Sequence, residues 1–166
     1  MSNTQIAFLN RSNVPNRDAL QASIDRLGFN LKLDPEFTPF DDSGFSPCTL
    51  EGAPDVGFEI YYAPALEIVN GDPNLSAIVG DRDFSISMVW GGSIKDCACA
   101  MVVSCALVTD FGAVVTYEGE PPDTVETLFA NTKSILADAA KEKPRRQTPP
   151  AGARTTPPKK PWWRFW

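Results

Sequence analysis

Histidine is absent from the 166 residues. Without it the chain lacks the commonest general base at neutral pH, the usual zinc ligand, and the partner that activates serine or cysteine nucleophiles. Most hydrolase and metalloenzyme chemistry is thereby set aside. Lysine is scarce through residue 140, limited to Lys32, Lys95 and Lys133, none of them in a recognisable motif, which leaves little for lysine-based catalysis. These absences predict a protein that is not an enzyme and uses no cofactor or metal. There is no run of eighteen or more apolar residues, so no membrane-spanning helix is expected. The stretch from Met1 to Leu9 has neither the basic start nor the long apolar core of a secretion signal. The expected location is the cytoplasm. Only four cysteines occur, three of them crowded at Cys97, Cys99 and Cys105, unlike the spread framework of a disulfide scaffold; they read as reduced thiols.

What is present suffices for one domain of ordinary size. Hydrophobic residues make up 43% and charged residues 22%, a balance that favours a folded core over disorder. The charge is divided. Lys141 to Trp166 carries eight basic residues and one acidic, a net +7, while the first 140 residues hold seven basic and twenty acidic, a net −13. The organisation predicted is an acidic α+β domain over 1–143 and a basic, proline-rich tail over 144–166. Opposite signs suggest a tail with its own destination and a body suited to a basic surface.

Ile6 to Leu9 suits a buried strand. Leu20, Ile24 and Leu27 recur on one helical face, with Asp18 in the first turn and Gly28 placed for a left-handed cap. Phe29, Leu31 and Leu33 alternate as a strand does. The next twenty residues, with Pro39, Gly44, Pro47, Gly52 and Pro54, read mainly as loop, with a short strand at Cys48 to Leu50. Phe58, Ile60 and Tyr62 mark another strand. One or two helical turns are expected between Pro64 and Gly80, broken at Gly71 and Pro73. Phe84, Ile86, Met88 and Trp90 alternate with Ser85, Ser87 and Val89, a strand with one apolar and one hydroxylated face. Ser93 and Asp96 form a capping box before a helix, Ala98 to Val108, that is apolar nearly all round. Ala113 to Tyr117 is a strand, and Asp123 with Glu126 resembles a second capping box before a helix ending near Lys141 and Lys143, ahead of Pro144. This order predicts a mainly antiparallel sheet with helices packed on one face, a ferredoxin-like (split βαβ) variant, plus a disordered tail.

Cys97 and Cys99 point about 200° apart on a helix, and Cys97 lies about 12 Å along the axis from Cys105, so they do not share an ion. Asp34, Glu36, Asp41 and Asp42 cluster before Gly44, and Asp81 and Asp83 flank Arg82, without calcium-loop spacing. They read either as solvated loops or as an electrostatic docking surface for a basic protein. Ser85 and Ser87 offer a hydroxylated face on which a small-molecule sensor or enzyme would rely. In the tail, six prolines from Pro144 to Pro161 are interspersed with Arg145, Arg146, Arg154, Lys159 and Lys160, a composition that stays extended and solvated. Trp162, Trp163, Arg164, Phe165 and Trp166 follow. Such aromatics suit a partner groove or an anionic membrane surface, with stacking on unpaired bases disfavoured by the acidic body. A further alternative is a tail folded onto its own body by charge complementarity.

Asn10-Arg11-Ser12 with Val14-Pro15, Leu27-Gly28-Phe29 with Leu31 and Leu33-Asp34, Gly44-Phe45 with Pro47-Cys48, and Gly57-Phe58-Glu59 resemble a group of small bacterial proteins over roughly Ile6 to Tyr117. In size and acidity the chain also resembles immunity proteins of bacterial toxin systems. That resemblance implies a cytosolic, non-enzymatic protein that binds and neutralises a cognate toxin. The aromatic tail is not part of that pattern. Three functions are therefore expected in competition: a protein-binding module for a basic partner, a membrane or scaffold adaptor anchored by its tail, and a small-molecule sensor or enzyme using Ser85 and Ser87.

Overall fold

The computed structural model describes residues 2–142. Along the chain lie β1 (Asn3–Leu9), a 3₁₀ turn (Arg11–Asn13), α1 (Arg17–Arg26), β2 (Leu31–Leu33), β3 (Gly44–Leu50), β4 (Ala53–Pro64), α2 (Ala65–Val69), α3 (Pro73–Val79), β5 (Phe84–Trp90), α4 (Ile94–Asp110), β6 (Val114–Tyr117) and α5 (Val125–Lys141). The six strands form one sheet in the order β2-β3-β4-β5-β1-β6, every neighbouring pair antiparallel. Within it the run β6-β1-β5-β4 is a split βαβ core. Strands β1 and β4 are parallel with β5 between them, and β5 and β6 are parallel with β1 between them. Helices α1 and α4 lie in the two crossovers, as the sequence order predicts. Strands β2 and β3 are inserted into the first crossover and extend the sheet beyond β4.

Strand alternation sorts the two faces. Ala7 and Leu9 of β1, Ile86, Met88 and Trp90 of β5, Phe58 and Ile60 of β4, and Val115 of β6 join one core with Leu20 and Ile24 of α1 and the inner side of α4. Helix α4 is apolar all round because it lies between the sheet and α5, burying Ala98, Cys99, Val102, Val103, Cys105 and Ala106. On the opposite face Phe8, with Ile6 and Val114, is covered by Ala65 and Val69 of α2 and Val79 of α3. Two short helices thus add a second, smaller layer to the three longer ones. Full burial of a side chain such as Phe8 or Ile24 contributes about 1.5–3 kcal/mol.

The helix boundaries follow local chemistry. Asn16 accepts the Ala19 N–H at 2.8 Å to start α1, and Gly28, at φ +85°, turns the chain after it. Ser93 accepts from the Asp96 N–H at 3.3 Å, as the capping pattern predicts. Helix α5 is capped by Thr124, which accepts the Thr127 N–H at 3.1 Å, one residue beyond the Asp123 that the pattern suggested. The longer difference is β3. Its segment reads as loop because of Gly44 and Pro47, yet it forms seven strand residues. Pro47 is tolerated because β2 pairs only with Cys48 to Leu50, so Pro47 stands past the end of β2. It faces Gly57 across the β3–β4 ladder.

Candidate functional site

The acidic residues singled out by sequence fall in two loops at one end of the sheet. The Phe40 ring, from the loop before β3, meets Phe84 at 5.6 Å and Tyr62 at 5.8 Å, with the Arg11 guanidinium 4.3 Å above it. This aromatic cluster sets Asp41 and Asp42 beside the turn that carries Asp81 and Asp83. Burial first, and then the Asp42 charge, push the Tyr62 phenol above its ordinary range. Several of these carboxylates also shape backbone: Asp83 accepts the Arg11 N–H at 2.7 Å and Asp42 the Thr38 N–H at 2.8 Å. Asp34 accepts the Glu36 N–H at 3.0 Å at the start of the same loop, where its carbonyl takes the Arg17 guanidinium at 3.2 Å. Glu36, Asp41 and Asp81 point to solvent. The surface is therefore acidic, with the Arg11 guanidinium held against its aromatic floor.

The hydroxylated face is less open than alternation implies. Ser85 is fully buried and donates to the Ala63 carbonyl at 2.9 Å; Ser87 is half-buried. The cysteines separate as helical rotation predicts. Cys99 faces the sheet, where a hydrogen bond with the Cys48 thiol and then burial raise its pKa. Cys105 meets Thr132 of α5 at 3.2 Å. Cys97 is pushed up to about 11 by burial. All four are free thiols, and among the described residues no three acidic or thiol side chains are grouped to hold a metal ion.

A feature that sequence reasoning missed is a large cavity. Helix α5 packs tightly on α4 at Thr132 and Ala139 but stands off from β6, and the gap is a cleft of about 740 Å³. Trp90, Ile94, Met101, Val115, Leu128 and Ile135 provide its apolar walls. Gln5, Asn131 and Ser134 add hydrogen-bonding groups, and Glu120 and Asp123 stand on its rim. The Tyr117 ring lies 6.2 Å from Trp90, its hydroxyl donating to Asn3 at 2.9 Å. Strand β6 pairs with β1 alone, so its outer edge borders this cleft without a sheet neighbour among the described residues. At one end Arg82 is spent on the Gly112 carbonyl at 3.0 Å. At the other, Glu142, just after α5, accepts from Ser93 Oγ at 3.0 Å, Ile94 N–H at 2.7 Å and Lys95 N–H at 3.3 Å. Burial opposes the charge, but these bonds together with the α4 N-terminus hold the Glu142 carboxyl below its ordinary range.

Ile94, Tyr117 and Val125, which line this cleft, are apolar residues left exposed. The proposed tail anchor, Trp162, Trp163, Arg164, Phe165 and Trp166, lies outside the described residues. No described helix is long and apolar enough to cross a membrane. The chain matches no protein-family model, no curated protein and no solved structure.

Proposed function

We propose that the protein is a non-enzymatic protein-binding module that takes a cationic, apolar-bearing segment of a basic partner along β6, in the cleft beneath α5. The carrying observation is the coincidence of an apolar cavity, a strand edge without a neighbour among the described residues and an acidic rim in one place. A strand edge offers main-chain hydrogen bonds, and the pocket beside it selects side chains. The volume falls within the roughly 300–1,000 Å³ typical of ligand pockets. The negative body adds long-range attraction, and the carboxylates of Asp41, Asp42, Asp81 and Asp83 steer encounter more than they hold the complex. Neutralisation of a basic toxin is the biological form that the sequence resemblance favours.

Affinity capture with the full chain from a lysate of its source, at low and high salt, tests this reading. The same capture is run with the paired substitutions Asn131→Arg and Ser134→Arg, two exposed positions on the cleft's mouth. A basic protein retained at low salt, released at high salt and lost with the pair supports the proposal. Retention indifferent to both salt and the two arginines sinks it.

A further inference from the structure

The acidic cleft calls for an occupant that is both aromatic and cationic, and the chain carries one of its own. We infer that the cleft between α5 and β6 is filled by the segment Trp162–Trp166 of the same chain, which a binding partner must displace. This deepens the reading above and rests on the same cleft. Three observations support it. The first is where the described chain stops. Glu142 is fastened to Ser93, Ile94 and Lys95, and Ser93 and Ile94 belong to the cleft wall, so the tail departs from the cleft's own end. The second is length. Nineteen residues lie between Glu142 and Trp162, a span of about 66 Å when extended, which is ample to return to a cavity that begins at the point of departure.

The third is chemical fit. The cleft presents Trp90 and Tyr117 rings with Met101, Leu128 and Ile135, partners for stacked or edge-on tryptophans and for a methionine–aromatic contact. Its rim carries Glu120 and Asp123, opposite in sign to Lys159, Lys160 and Arg164 of the tail. Covalent attachment makes weak docking sufficient. A short tether gives an effective concentration of about 1 mM, so a segment that docks in isolation at about 0.1 mM would occupy the cleft about ten to one. A competing ligand would then bind the intact chain about tenfold more weakly than a chain whose tail cannot dock.

The test compares the full chain with a full-length variant carrying Trp162→Ala, Trp163→Ala, Phe165→Ala and Trp166→Ala, all beyond the described residues. Methyl NMR reads Met101, Val115, Leu128 and Ile135, and a labelled synthetic peptide of residues 158–166 serves as the probe. The inference expects those methyl signals to shift between the two proteins independently of concentration. It also expects the peptide to bind the variant about tenfold more tightly than the parent, with added salt weakening it and Asn131→Arg with Ser134→Arg abolishing it. Unchanged methyl signals, equal peptide affinity, or a shift that grows with protein concentration and so reports a neighbour's tail, each overturns it. So does a parent that sediments with anionic vesicles through its tail while its cleft signals match those of the variant. If the variant and parent capture a salt-sensitive partner equally and the peptide never binds, tail docking falls and the proposed function stands. If the peptide binds and no partner is ever captured, the reverse holds.

Discussion

Gly57 shows how one residue fixes a whole edge of the sheet. Its φ is +153°, and a Cβ there would lie 2.1 Å from the Ser46 carbonyl oxygen, inside the β3–β4 ladder. Its N–H also donates to Asp96 at 3.0 Å, tying β4 to the first turn of α4. Gly57→Ala must therefore move backbone, and a loss of about 3 kcal/mol is expected, read as a lower urea midpoint at unchanged slope. Thr116 gives the opposite case. Its hydroxyl is fully buried without a hydrogen-bond partner, so Thr116→Val, nearly the same shape, is expected to stabilise by about 1 kcal/mol in the same assay. Neither site was legible from sequence. Gly57 and Thr116 resemble any other strand glycine and threonine until the register sets one against Ser46 and buries the other beside Ile6.

Elements announced by their own local chemistry were read correctly. Strand β5 alternates without interruption, and Ser93 and Gly28 mark helix ends through side-chain and backbone effects confined to one turn. Strand β3 was hidden because Pro47 is admissible only beside a β2 that stops short. The cleft was hidden because it depends on how far α5 stands from β6, a distance set by the α4 contacts and not by the sequence of either wall. Between elements, ionised carboxylates act as fasteners. Asp110 of α4 joins Ser23 and Arg26 of α1, Asp25 joins Lys32 and Gln21, and Glu142 joins α5 to the start of α4. The hydrogen bond from Ser23 lowers the Asp110 pKa most and that from Lys32 lowers Asp25 most; Glu142 is lowered by its three bonds against an opposing burial. A pKa lower in the folded than in the unfolded chain gives stability that is complete above the unfolded value and lost as pH falls through the folded one. Melting temperature is therefore expected to hold at neutral pH and to drop through and below the ordinary carboxylate range. Glu142→Gln should cost about 1 kcal/mol at neutral pH and flatten part of that acid slope; an unchanged profile would remove Glu142 from the account.

On the scale of the whole molecule, the charge division was plain in the sequence, whereas its geometry was not. The loops of Asp41, Asp42, Asp81 and Asp83 come to one end of the sheet through the pairing of β3, β4 and β5, and Arg11 and Phe40 join them there. If this end steers a basic partner, the combined change of these four to Asn should slow association about tenfold at low ionic strength, with dissociation nearly unaffected. Stopped-flow or surface-binding kinetics against the captured partner would show it, and a change confined to the off-rate would contradict it. The sheet's outline has a separate consequence. Its two outer strands are its shortest, three residues in β2 and four in β6, while the twelve-residue β4 lies inside the sheet, paired with β3 along Ala53–Ile60 and with β5 along Glu59–Pro64. Outer strands so brief give little template for copy-on-copy fibril growth, so the strand whose edge would receive a guest only a few residues long offers a second copy of the protein little to pair with.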